Sequence, residues 1–337
     1  MIYSMFVRIF LLILLFMGKN VESSTGGGPK TYREVRMHKL AQASRMIGAV
    51  GSSISISAEI VSASPTAVSS SSETLASFYA QYPYQKPSDI LPFIFNNARK
   101  GDTSAVIKAM DLFHNNYPMY NLSPVKAGLL SREVREVSKL QNVEGRQRIL
   151  ELGSFFGYSA LHIAMSMGEQ CELTMVEGSV ENADVARQVL AYGLPTETLK
   201  RINLVRSLSS RALQRPGALL LEPPASSKCL QFHDLDSTPE DYYGNNQADG
   251  QFSLIFLDHD KESYAPDLKK LLELNLVAPD CTVVADNIIF PGAPGYLEIV
   301  QGPGWATRIV SMPFERIGFE TQFKEKEDAM SISVRRP

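Results

Sequence analysis

The chain has 337 residues, 44% hydrophobic and 20% charged, with a formal net charge of -3. That is globular composition, enough for one large domain or two small ones. Both signs of charge are interspersed, so no basic patch or stripe marks a nucleic-acid surface. The three cysteines, Cys171, Cys229 and Cys281, are odd in number and sparse, which argues against a disulfide framework. Cys171 and Cys281 each open a predicted buried strand and read as small core hydrophobes.

The chain begins with a targeting or anchoring segment, residues 1–17. Its apolar run, Ile9 to Met17, lies between Arg8 and Lys19. The run is short for a bilayer span and has the length of a signal-peptide core. A short signal-anchor is the alternative, with Arg8 snorkelling to the interface. Basic residues are denser beyond the run, at Lys19, Lys30, Arg33, Arg36, Lys39 and Arg45. In an uncleaved chain that bias keeps the bulk of the protein cytoplasmic. Residues 18–75 read as a linker, with Gly26-Gly27-Gly28-Pro29 breaking any regular element and Ser52 to Ser72 rich in serine and alanine. An organelle transit sequence ranks second, because the first run is too apolar for one.

Globular patterning spans residues 76–337. Ser88 to Ala98, Thr103 to Asn115 and Ser123 to Leu140 read as helices, the last started by Ser123-Pro124 as N-cap and N1. Strands and helices then alternate. Strands are expected at Arg148 to Leu152, Glu172 to Val176, Arg201 to Val205, Phe252 to Leu257 and Thr282 to Ala285. Helices are expected at Tyr158 to Met167, Val180 to Tyr192, Ser209 to Leu213 and Ala265 to Leu274. This rhythm predicts an α/β fold, a doubly wound, mostly parallel sheet with helices on both faces. It fails between Arg215 and Gly250, where prolines and polar clusters predict a surface insertion.

Two motifs carry chemistry. Phe256-Leu257-Asp258-His259-Asp260-Lys261 and Val284-Ala285-Asp286-Asn287 are apolar strands that end in hard oxygen donors. Asp258, Asp286 and Asn287 together suit one Mg²⁺, and Lys261 lies one short turn beyond the first of them. Alone, Asp258 would be a helix N-cap and Asp286-Asn287 a turn. A third motif, Glu151-Leu152-Gly153 through Gly157-Tyr158-Ser159, is a strand, a glycine turn and a helix start. Its glycines let backbone approach a ligand, and the helix start supplies unpaired N–H groups. Glu177 ends the next strand, where an acid either binds ribose hydroxyls, as in dinucleotide folds, or is a solvated strand-end carboxylate.

In order, spacing and residue type, these motifs and Pro291-Gly292-Ala293-Pro294 resemble the catechol O-methyltransferase family, from about Asn96 to Val334. The resemblance implies a Rossmann-like methyltransferase domain over 76–337 that binds S-adenosylmethionine and Mg²⁺. Asn121, Gly153, Tyr158 and Ser159 would line the methionine end, Glu177 the ribose, and His259 the adenine, with Ser209 or Ser210 on its edge; Glu151 is also counted among the cofactor-binding residues. Asp258, besides holding Mg²⁺ with Asp286 and Asn287, counts with this cofactor shell. Lys261 would be the general base, and Glu315 would accept a hydrogen bond from the second substrate hydroxyl.

The chain departs from the family at Pro118 and Asp260, where tryptophans wall the catechol slot; Pro291 matches. An acid beside the metal favours a cationic amine side chain over an anionic ring. Asn121-Leu122-Ser123 is a glycosylation sequon inside the expected cofactor pocket, which favours a membrane-anchored, cytosol-facing enzyme over a secreted one. The expected activity is methyl transfer to one hydroxyl of a Mg²⁺-chelated catechol, by a monomer with a small-molecule substrate. The rivals are an enzyme for another vicinal diphenol, such as a phenylpropanoid, and a silent, membrane-tethered binding protein of the same fold.

Overall fold

Among the described residues, Asp102 and Ser123 start two of the three helices that precede the sheet. In the computed structural model, which describes residues 89–337 apart from 116, 118, 140–146, 222–228, 239–249, 314–326 and 337, these helices are α1 (Ile90–Asn97), α2 (Thr103–His114) and α3 (Pro124–Ser138). The Asp102 carboxylate accepts the Ala105 N–H at 2.9 Å, and Ser123 Oγ accepts the Lys126 N–H, so both first turns are capped. All described residues fall within Ser69–Pro337. The expected anchor at 1–17 and linker at 18–75 lie outside the described residues. Among the described residues no helix is long and apolar enough to cross a membrane.

The alternation then runs β1 (Gln147–Leu152), α4 (Tyr158–Ser166), β2 (Cys171–Glu177), α5 (Val180–Gly193), α6 (Thr196–Leu199), β3 (Ile202–Arg206) and α7 (Ser209–Ala212). It continues with β4 (Gln231–Asp234), β5 (Phe252–Leu257), α8 (Tyr264–Glu273), β6 (Val277–Ala285), α9 (Tyr296–Val300), β7 (Trp305–Pro313) and β8 (Glu327–Arg335). The eight strands form one sheet in the order β4-β3-β2-β1-β5-β6-β8-β7. β1 to β6 are parallel; β8 pairs antiparallel with β6, and β7 antiparallel with β8. The fold is therefore the expected doubly wound, mostly parallel sheet.

Successive strand residues enter opposite cores. Ile149, Leu173, Met175, Leu254, Phe256 and Val284 pack in the core shared with α1 to α5. Leu150, Leu152, Val176, Ile255, Leu257 and Val283 pack in the core shared with α8 and α9. A parallel sheet covered on both faces needs this double apolar lining, which is why its strands read as continuous hydrophobic runs.

The stretch from Arg215 to Gly250 needs correction. Ala218 and Leu219 form a fully buried turn, and Gln231–Asp234 is a fourth parallel strand on the sheet edge rather than part of a surface excursion. Arg206, at the end of β3, pairs with Asp234 and with Asp236 at 2.6 Å, which fastens that edge. The strand escaped the sequence reading because it is only four residues long and partly exposed. β7 and β8 were also unforeseen. Cys171 opens β2 as expected, whereas Cys281 lies inside β6; both are buried and free.

Candidate functional site

β1 sits between β2 and β5, so the strand order reverses at β1, the point where open α/β sheets have their ligand crevice, outside the carboxyl ends of the strands. Gly153 takes φ +92° in this crevice. A Cβ on it would lie 2.6 Å from the Asp258 carbonyl oxygen, so only glycine lets the ends of β1 and β5 come together. The next turn places Gly157, φ +81°, as the N-cap of α4. The sequence spacing of the two glycines thus matches two separate backbone demands.

Asp258 follows β5 and Asp286 follows β6. Backbone bonds continue the ladder through them, Asp258 N–H to Leu152 O at 2.9 Å and Asp286 N–H to Leu257 O at 3.1 Å. The two carboxylates therefore face one another across neighbouring strands. Lys261 Nζ donates to Asp258 Oδ1 at 2.9 Å and to the Tyr264 hydroxyl at 2.7 Å. That hydroxyl donates in turn to Leu257 O at 2.7 Å, and Tyr264 is fully buried at the start of α8.

Two groups missed from sequence complete this patch. Lys126, on α3, places its ammonium 2.6 Å from Asp286 Oδ1 and 2.5 Å from Asp328 Oδ2. Asp328, on β8, is fully buried and also accepts the Asn287 amide Nδ2 at 2.7 Å and the Phe290 N–H at 3.1 Å. Asp286 is pushed up to about 6 by burial and by Asp258, with Lys126 pulling the other way. Burial alone would lower the Lys126 pKa; Asp286 and Asp328 outweigh it, so the ammonium stays charged. After these bonds, three oxygens have no protein partner among the described residues: Asp258 Oδ2, Asp286 Oδ2 and Asn287 Oδ1. Two carboxylates and one amide oxygen suit a hard divalent cation. Among the described residues no group of three His, Cys, Asp or Glu side chains forms a metal cluster.

Among the described residues, buried polar atoms without hydrogen-bond partners occur elsewhere in the fold too, but six sit around this crevice. They are both amide atoms of Asn121, Glu151 Oε2, Ser154 Oγ, Ser207 Oγ and His259 Nδ1. Four of these residues stand on or just after β1, β3 or β5; Asn121 enters just before α3. Buried polar groups cost about 1–3 kcal/mol each when unsatisfied, so this concentration fits a bound polar ligand. Ser159 donates to Glu151 Oε1, and burial pushes Glu151 up to about 8 against that bond. His259 Nε2 lies 2.9 Å from Asp267 Oδ2, and its ring stacks on Tyr264, centroids 5.0 Å apart.

The remaining expected residues fare differently. Glu177 accepts the Phe155 and Ser179 N–H groups, both at 2.8 Å, which tie its carboxylate to the glycine turn and the start of α5. The Tyr158 hydroxyl donates to Asp111 at 2.7 Å, so this side chain joins α4 to α2, and what it can offer a ligand is its helix-start backbone. Ser209 opens α7 half-buried; Ser207, which the sequence reading passed over, holds the buried hydroxyl at the end of β3. Asp260 is exposed and bonded to Ser263 Oγ at 3.1 Å. Glu315 and Pro118 lie outside the described residues.

A family model described as O-methyltransferase matches residues 123–217. Catechol O-methyltransferase of Sus scrofa is 31% identical over 157 residues, 46% of this chain and 68% of that protein. Catechol O-methyltransferase B of Danio rerio is 28% identical over 218 residues, 64% of this chain and 68% of that protein. A transmembrane O-methyltransferase homolog of Mus musculus is 28% identical over 215 residues, covering 63% of this chain and 69% of that protein.

Proposed function

The chain belongs to the catechol O-methyltransferase-like family of O-methyltransferases, and from that premise we propose that it moves a methyl group from S-adenosylmethionine to one hydroxyl of a Mg²⁺-chelated catechol. The observation that carries the reading is the set of three partner-free oxygens, Asp258 Oδ2, Asp286 Oδ2 and Asn287 Oδ1, beside the Lys261 ammonium.

When bound, the cofactor supplies an activated sulfonium methyl, and Mg²⁺ supplies the Lewis acidity that orients and acidifies a vicinal diol. The chain supplies the rest. Asp258, Asp286 and Asn287 would hold the metal. Lys261 takes the hydroxyl proton at Nζ, and Asp258 and Tyr264 fix where that nitrogen sits. Asn121, Glu151, Ser159 and the Gly153 turn hold the methionine end, Glu177 the ribose and His259 the adenine. Glu315 takes the second hydroxyl, by resemblance to the family. Holding the reactants in line supplies much of the remaining acceleration. Asp260, exposed at the start of the Lys261 turn, gives the slot an acidic rim in place of an aromatic wall. A catechol with a cationic amine side chain is therefore preferred over an acidic one. Residues 1–17 anchor the enzyme to a membrane with the catalytic domain facing the cytosol.

The test is transfer of labelled methyl from S-adenosylmethionine to a panel of catechols and phenylpropanoid diphenols, with and without Mg²⁺. Product that requires Mg²⁺ and is lost in Asp258→Ala supports the reading. Cofactor binding without transfer to any diol sinks it and leaves a silent binding protein. Equal rates for dopamine and an acidic catechol remove the role given to Asp260.

A further inference from the structure

Resting on the metal reading above, the question is what decides which oxygen each ligand presents. Asp286 has two oxygens and Asn287 has one oxygen and one nitrogen. A flipped Asn287 would present its amide nitrogen, which is no ligand for a hard cation. In this structure neither choice is left open. Asp286 Oδ1 is taken by Lys126 Nζ at 2.6 Å and by the Asn287 N–H at 2.8 Å. Asn287 Nδ2 is taken by Asp328 Oδ2 at 2.7 Å. Asp328 is itself held by Lys126 at 2.5 Å and by the Phe290 N–H at 3.1 Å. Lys126 and Asp328 are both buried and lie 202 positions apart in the sequence.

We propose that Lys126 and Asp328 form a positioning pair that turns Asp286 Oδ2 and Asn287 Oδ1 toward the metal by occupying the opposite atom of each side chain. Neither residue is a ligand. The pair carries one positive and one negative charge, so together it adds orientation and no net charge to the site. Partners of this kind behind metal ligands typically change metal affinity by about 10- to 100-fold when removed.

The test uses the full chain and Mn²⁺ as the probe, with bound Mn²⁺ read by electron paramagnetic resonance and no turnover required. Asp328→Leu and Lys126→Met are made singly and together. The double variant leaves the net charge of the site unchanged, so a purely electrostatic role restores wild-type affinity in it. The positioning role leaves it weaker by about 10-fold or more, with an altered spectrum of the bound ion. S-adenosylmethionine affinity and near-ultraviolet circular dichroism report that each variant is folded. If the double variant does not fold, Asp328→Asn decides the matter. It keeps the volume and one oxygen that can accept the Asn287 amide, but not the charge. Binding near the wild-type value there supports positioning, and a loss like that of Asp328→Leu overturns it. Lys139→Met, at the exposed residue just after α3, is the control. Wild-type Mn²⁺ affinity in the double variant overturns the proposal while leaving the metal site intact. A wild-type chain whose Mn²⁺ binding is absent, or indifferent to Asp258→Asn, overturns the metal reading and this pair with it.

Discussion

Lys261 is held from two sides, by a carboxylate and by a buried phenol whose own proton is committed to a backbone carbonyl. Its nitrogen therefore has a fixed address, which is what a general base needs before its proton affinity matters. Lys261→Met should lower kcat by about 10²- to 10⁴-fold while cofactor affinity stays unchanged. Equal loss of cofactor binding would mean a structural role instead. Glu151 offers a second test at this scale. Burial pushes its carboxyl from 4.5 up to about 8, so the folded chain holds a proton that the unfolded chain releases earlier. Its contribution to stability is full below pH 4.5 and is lost as pH rises to about 8. Urea midpoints should fall across that window more steeply for wild type than for Glu151→Gln. Parallel curves would show that the group does not titrate there.

The turn after β1 is the element on which the site depends. Gly153 and Gly101 both have positive φ, +92° and +80°, but only Gly153 would press a Cβ against backbone. Gly101→Ala should therefore cost only the strained backbone, about 1 kcal/mol for an alanine in this region. Gly153→Ala should cost clearly more and weaken cofactor binding, because the ends of β1 and β5 must separate. Matching urea midpoints for the two variants would refute the close approach. Tightly packed strand ends also explain how two short sequence motifs, more than a hundred residues apart, deliver Gly153 and Asp258 to one spot.

At the scale of the molecule, one sheet separates two apolar cores, and the ligand crevice lies along its carboxyl edge. The buried polar atoms left without partners at that edge make the fold less stable than it would be with them satisfied. Cofactor at about 100 times its Kd should stabilise the protein by about 2.7 kcal/mol. For a domain of this size that raises Tm by roughly 5–10 °C. Thermal unfolding with increasing S-adenosylmethionine measures it, and a Tm indifferent to cofactor would contradict the placement of the crevice.

The sequence by itself determined the alternating strands and helices, the glycine turn, and the donors at the ends of β5 and β6. Each is a local pattern: a hydrophobic run, a capping residue, a glycine where the backbone turns, a polar residue where a strand leaves the core. Periodicity and near neighbours are enough to read such features. The tertiary structure alone decided that Lys126 and Asp328, 202 positions apart, meet behind Asp286 and Asn287. On α3, Lys126 looks like any polar helix residue, and Asp328 stands at the start of a strand whose antiparallel pairing with β6 has no local signature. Only the register of β8 against β6, set by long-range packing, brings that carboxylate under Asn287. The short strand β4 was hidden for the same reason. Four residues carry too little pattern, and their place on the sheet is fixed by β3 and by the Arg206 ion pairs.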